Sequence, residues 1–191
     1  TVKGGTLTEA AYGGLVENNQ RNADGTKKTN GDAVKNTLLL KAGANTANAF
    51  GAEVRTKDGK AEENTVTMEG GTVNGSLAGG TLAAEDAKGN ATKNRVTIKD
   101  GTVTGDVYGA RAHHASLRNT VNIKDGVAVT GNVTGGACLN ANENTINIGR
   151  GSPVTGNVIG GNGSVENKNN IINLKGGAVT GDIIGGAGAS V

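Results

Sequence analysis

Aromatic residues are almost missing from this chain. Its 191 residues include two tyrosines, one phenylalanine and no tryptophan. Rings supply much of the buried area in ordinary globular cores, and with 34 glycines and 35% hydrophobic residues beside them a core of that kind is not expected. Proline, cysteine and methionine occur once each. A single cysteine, Cys138, makes no internal disulfide, so the chain is not a disulfide-stapled scaffold. The two histidines, His113 and His114, are adjacent. Neighbouring strand side chains point to opposite sides, which favours a solvated loop dipeptide over a chelating pair. The net charge is only +2. A partial basic column at Lys41, Lys99, Lys124 and Lys175 is interrupted by Glu69. With no strong basic patch and no stacking platforms, a nucleic-acid partner is not expected. No signal peptide is seen, and no apolar run nears the ~20 residues of a spanning helix, so membrane insertion of this segment is not expected.

Glycine, by contrast, is abundant, with 34 copies, and it is spaced. One pattern repeats seven times: Asn-x-[Val/Ile]-x-[Ile/Leu], a Gly, then Val-Thr-Gly-x-Val-x-Gly-Gly. The clearest copy, NTVNIKDGVAVTGNVTGGA, runs from Asn119 to Ala137. The opening asparagines are Asn36, Asn64, Asn94, Asn119, Asn144 and Asn170, at steps of 28, 30, 25, 25 and 26 residues. A middle Gly follows seven residues later, at Gly43, Gly71, Gly101, Gly126, Gly151 and Gly177. A closing Gly stands at Gly13, Gly51, Gly79, Gly109, Gly135, Gly160 and Gly185. Self-similarity at this period marks a solenoid.

The segments between the glycines have strand chemistry. Val121 and Ile123 alternate with Thr120 and Asn122, and the same period of two recurs in the other copies. Short β-branched runs bounded by Gly favour strands over helices. The expected fold is all-β: one right-handed parallel β-helix, about six full rungs of 25–30 residues plus a partial first rung. It occupies residues 1–191 as a single domain and makes a rod of roughly 30 Å at the usual strand spacing. The expected interior comprises Val96, Ile98, Val103, Val107, Val121, Ile123, Val129, Val133, Ile146, Ile148, Val154 and Val158. Glycines such as Gly79, Gly109, Gly135, Gly160 and Gly185 are read as turn residues with positive φ. The recurrent Asn94, Asn119 and Asn144 are read as a rung-to-rung ladder rather than ligands. Thr8, Thr46, Thr104, Thr130, Thr155 and Thr180 are expected to stack before the middle turn, with Asn74 as the exception.

Polar loops of 21, 11, 13, 8, 7 and 8 residues separate each closing Gly from the next Asn. Their common phase predicts that they emerge along one edge, where binding surfaces grow. The candidate loop surface comprises Glu17 to Lys35, Glu53 to Glu63, Arg111, His113 and His114. The three aromatics, Tyr12, Phe50 and Tyr108, all precede a closing Gly and face away from the interior. They are read as corner residues covered by the following loop, with an exposed binding stripe as the alternative. Asp100, Asp106, Asp125 and Asp182 are read as turn caps, because the calcium-roll nonapeptide is absent. No acid/base pair and no Ser/His/Asp grouping is seen, so neither an enzymatic site, a metal site nor a cofactor is expected.

Runs such as NRVTIKDGTVTGDVYGA and NTINIGRGSPVTGNVIGG resemble the β-helical passenger domains of large autotransporter adhesins of Gram-negative bacteria. The likeness covers nearly the whole chain, in degenerate motifs. It implies an extracellular or cell-surface module, attached to the outer membrane through a part not present here, that serves adhesion, aggregation or biofilm formation. Its partner would be a protein or glycan of a host or bacterial surface. The chain starts within a rung and ends just after Gly-Gly, which suggests a segment of a longer repeat protein. Open end rungs also allow self-association end to end into a filament. A polysaccharide-active β-helix enzyme ranks lower. Ice binding on the outward Thr/Asn face ranks lower still, because Arg95 and Ile171 break that lattice.

Overall fold

The computed structural model describes residues 1–17, 23–26 and 31–188. They form a parallel β-solenoid of about six turns, with no helix among the described residues. Each rung bends around four walls. The first wall follows the recurrent Asn and holds Thr37–Lys41, the start of Thr65–Val73 and of Arg95–Val103, then Thr120–Ile123, Thr145–Ile148 and Ile171–Leu174. Its strands stack in step. Leu38, Val66, Val96, Val121, Ile146 and Ile172 make one column, and Leu40, Met68, Ile98, Ile123, Ile148 and Leu174 another. The second wall is short and carries Val73, Val103, Val129, Val154 and Val179. The third is long: Gly5–Val16, Ala44–Val54, Leu77–Leu82, Val107–Arg111, Val133–Asn142, Val158–Lys168 and Ile183–Ala187.

These three walls close on an aliphatic core. All twelve residues expected inside are there, each exposing 2% or less of its surface. Period-two alternation explains this, since every second side chain of walls packed on one side only must face inward. Full burial of each such side chain is worth ~1.5–3 kcal/mol against exposure.

The asparagine ladder also forms. Asn64, Asn94, Asn119 and Asn144 are fully buried. From Asn36 to Asn144, the backbone N–H and Nδ2 of each Asn both donate to Oδ1 of the next, at 2.9–3.1 Å. Nδ2 of Asn64, Asn94, Asn119, Asn144 and Asn170 also donates to a backbone carbonyl, those of Ala33, Ala61, Ala91, Ser116 and Ala141 respectively. A buried amide must satisfy both its donors and its acceptor, and this stack does so. A second ladder runs just before the Leu77, Val107, Val133, Val158 and Ile183 column of the third wall. Oδ1 of Asn48, Asp106, Asn132 and Asn157 accepts the backbone N–H of Ser76, Asn132, Asn157 and Asp182 respectively. Asp100, Asp106 and Asp125 do cap turns, Asp100 Oδ1 accepting from Gly101 N, Asp106 Oδ1 from Asn132 N and Asp125 Oδ1 from Arg150 N, whereas Asp182 takes part through its backbone N–H.

Several expectations are corrected. The closing glycines do not have positive φ. They are needed because a Cβ at Gly13, Gly51, Gly79, Gly109, Gly135 or Gly160 would lie 2.2–2.5 Å from the carbonyl oxygen of the closing Gly on the next rung. The left-handed corners fall elsewhere. Six non-glycine residues just before the Asn ladder, Lys35, Glu63, Lys93, Arg118, Glu143 and Asn169, have φ of 53–57°. Such a conformation costs of order 1–3 kcal/mol and persists only where the surroundings over-determine it; the ladder beside it does so. The middle turn does use positive φ at Gly43, Gly71, Gly101, Gly126 and Gly151, but in the last rung at Gly176, not Gly177. Thr104, Thr130, Thr155 and Thr180 stack as expected, above Asn74. Thr46 instead aligns with Leu7 and Val73 in the aliphatic column, buried, with its hydroxyl donating to the Asn48 and Glu9 carbonyls. Nor does Glu69 merely interrupt the lysines: it pairs with Lys41 at 3.6 Å and Lys99 at 2.8 Å.

The largest correction concerns the loops. They contain the fourth wall, Ala33–Val34, Ala61–Glu62, Asn90–Thr92 and Ala115–Leu117, continued by the ends of Val133–Asn142 and Val158–Lys168. With the end of the third wall they enclose a second small core of Ala33, Ala52, Val54, Ala61, Leu82, Ala87, Ala91 and Ala110. The rung is therefore pinched. At the waist the closing Gly and its small successor run against the ladder, as Gly80 does against the Asn94 amide. Alanine-rich segments escape a hydrophobic-run search because each contributes only one small side chain.

Candidate functional site: the outer side of the waist

The third wall changes direction at the waist, and its outer side there is concave. Two columns of side chains line it. One is the residue before each closing Gly: Tyr12, Phe50, Ala78, Tyr108, Thr134, Ile159 and Ile184 stand in register. The other, two residues past that Gly, runs Leu15, Glu53, Thr81, Arg111, Ala137, Asn162 and Ala187. Between Phe50 and Tyr108 the first column has only Ala78. A cavity of about 490 Å³ lies here, lined by Phe50, Glu53, Thr81, Arg111, His113 and Cys138 among others.

Most of the large side chains here are anchored by neighbours. Phe50 is 8% exposed and stacks on Tyr12 with ring centroids 5.6 Å apart. Arg55 pairs with Glu53 at 2.5 Å and with Glu17 at 2.7 Å, and its Nη2 reaches the Tyr12 hydroxyl at 3.2 Å. The Glu53 hydrogen bond raises the Arg55 pKa, so this guanidinium stays charged. Arg111 lies over the Tyr108 ring, 5.0 Å from its centroid, in cation–π geometry, and makes no ion pair among the described residues. Tyr108 donates to Asp106 Oδ2 at 3.0 Å. Burial, then Asp106, pushes its pKa up; burial, then Glu53, does the same for Tyr12. Burial also pushes the Cys138 thiol to about 11, so it is neutral at ordinary pH.

Thr81 stands apart. It is 7% exposed and lines the cavity, and its Oγ1 is the one buried side-chain polar atom among the described residues without a hydrogen-bond partner. Such a group is costly to leave unmade and calls for an explanation.

The candidates drawn from sequence come together in part. Phe50, Arg111 and His113 line the cavity, while Tyr12 and Tyr108 flank it as partners of Phe50 and Arg111. His114 is exposed, does not line it, and approaches Asn90 Oδ1 at 3.1 Å. The aromatic column is mixed, with Phe50 buried and the two tyrosines half-exposed. Much of the Glu17 to Lys35 loop lies outside the described residues. Glu53 was placed in a loop by sequence but sits in the third wall, and Thr81 was missed. Counting two residues past each closing Gly would have found Glu53, Thr81 and Arg111 together. A smaller cavity of about 330 Å³, lined by Asn122, Lys124, Asp125, Asn147 and Lys175, lies at the end of the first wall. No group of three His, Cys, Asp or Glu that could hold a metal occurs among the described residues. The chain matches no known family model, no curated protein and no solved structure.

Proposed function

We propose that this chain is a non-enzymatic structural and adhesive module of an extracellular surface, a rigid solenoid that displays recognition groups toward a host or bacterial cell. The observation that carries the reading is the register of Glu53, Thr81 and Arg111 on three successive rungs beside the aromatic column. A backbone ladder holds them at about 4.8 Å steps, so little side-chain order is lost on contact. The likeness of the repeats to autotransporter passenger domains supports an exported, outer-membrane-attached setting. The test is attachment of beads coated with the chain to cultured epithelial and bacterial cells. Wild-type beads should adhere, and Arg111→Glu should cut attachment at least fivefold, whereas a deletion within residues 18–30 should not. Wild-type beads that adhere no better than albumin-coated ones refute the reading.

A second reading rests on the end rungs. Ile183 and Leu174 in the last rung, and Leu7 in the first, are inward-column residues among the exposed large aliphatics. A further rung would cover them. A rung from the same chain makes a longer stalk; a rung from a second copy makes a filament. Sedimentation across a hundredfold concentration range separates these, because only the filament grows with concentration.

A further inference from the structure

The cavity at the waist has a definite charge pattern. Arg55 neutralises Glu53. Arg111 has no such partner among the described residues, which leaves one unbalanced guanidinium at that end. One cation matches one negative charge. A phosphate monoester, nearly a dianion at neutral pH, would leave its second charge unmatched. Guanidinium and carboxylate match in shape as well as charge.

The polar groups are also spread out. Glu53, Thr81 and Arg111 sit on consecutive rungs, so the backbone positions that carry the carboxylate and the guanidinium are about 10 Å apart at two strand spacings. Between them stands the unpartnered Thr81 hydroxyl. A ligand that fills this line needs a carboxylate at one end, a hydroxyl in the middle and a hydroxyl donor at the other. An alkyl carboxylate would leave Thr81 and Glu53 unmet. The Phe50 ring, beside the same line, offers an apolar surface for carbon-bound hydrogens. The volume, about 490 Å³, falls within the usual range for small-ligand pockets.

We propose that this cavity binds an acidic sugar, a hexuronate residue, with its carboxylate on Arg111, a ring hydroxyl on Thr81 and a further hydroxyl on Glu53. The inference rests on the adhesive reading above and names the ligand class of that same site.

Calorimetric titration of the full chain tests it, with D-glucuronate, D-glucose and D-glucose 6-phosphate as probes. Glucuronate should bind saturably at millimolar concentration, with glucose and glucose 6-phosphate at least tenfold weaker. Arg111→Gln, at an exposed site, should weaken glucuronate at least tenfold with an unchanged circular-dichroism spectrum. Thr81→Val should weaken it several-fold without lowering the melting temperature, since the folded protein does not use that hydroxyl. Glucuronate-containing disaccharides bound at least as tightly identify a glycan chain as the source; binding of the free sugar alone identifies a small solute. Three results overturn the proposal: no saturable glucuronate binding, binding that Arg111→Gln leaves intact, or tighter binding of the phosphate ester. In each case bead attachment, measured separately, shows whether the adhesive reading survives.

Discussion

Replacing Asn119 by alanine tests the ladder directly. Asn119 is fully buried. Its Oδ1 accepts from Asn94 N and Nδ2 at 2.9 and 3.1 Å. Its Nδ2 approaches Asn144 Oδ1 at 3.0 Å, and the Ala91 carbonyl and Ser116 Oγ at 3.1 Å each. Alanine removes all of these at once. Asn94 Nδ2 keeps its bond to the Ala61 carbonyl, and Asn144 Oδ1 still accepts from the 119 backbone N–H. The Asn94 backbone N–H loses its acceptor inside the protein. One orphaned buried donor costs ~1–3 kcal/mol, and the other lost bonds add roughly 1 kcal/mol each where they are not replaced. The expected loss is about 3–5 kcal/mol. That corresponds to a melting temperature lower by roughly 10–15 °C for a domain of this size. The control is Asn122→Ala, which removes one partly exposed amide contact, Asn147 Nδ2 to Asn122 Oδ1 at 2.8 Å. Water can replace it, so the cost should stay below about 1 kcal/mol. Urea denaturation of both variants measures the difference. Equal losses, or a loss below 1 kcal/mol for Asn119→Ala, would refute the argument that buried satisfaction sets the value of the ladder.

Gly135→Ala should destabilise strongly, because its Cβ would lie 2.2 Å from the Gly160 carbonyl oxygen, whereas Gly185→Ala, with nothing within 4 Å, should be nearly neutral; thermal melts of the pair separate steric need from backbone freedom. Ile123→Asp should unfold the middle rungs, since an unpaired buried carboxylate costs several kcal/mol, and a melting temperature equal to wild type would contradict its interior place. Cys138, half-buried and with its thiol pushed to about 11 by burial, should react with iodoacetamide far more slowly at pH 8 than the urea-unfolded chain does; equal rates would contradict the raised thiol, and the folded rate should climb as pH approaches 11.

The sequence revealed most where one residue type repeats for one reason. Val121 and Ile123 alternate because the first wall has a single buried side, and that period is readable without coordinates. Asn119 recurs because only a side chain with donors and an acceptor can bond both neighbours along a stack. Gly135 was found but misexplained: both a left-handed corner and a close carbonyl demand glycine, and sequence does not distinguish them. Arg118 and Glu143 were overlooked as corners because their φ is imposed by the ladder rather than by their own chemistry. The second core was hidden for a related reason, its alanines lying among polar residues. At the site, the aromatic column was visible as a column. Glu53, Thr81 and Arg111 share no chemistry, so only the phase of the repeat joins them.

The pairing between rungs sets how this rod would respond to tension. Every wall bonds rung to rung along the long axis, so a pull on the two ends strains the interfaces in series, and the end rung, where the load enters at one point and which has a neighbour on one side only, opens first. The molecule should give way by unspooling one turn at a time. Each turn of 25–30 residues would release about 85–100 Å of chain at full extension, in place of the ~5 Å it occupied. A pulled tether of this kind pays out length in near-equal instalments at modest force, keeps its remaining turns folded, and leaves each remaining end rung as a template for rewinding when the load falls.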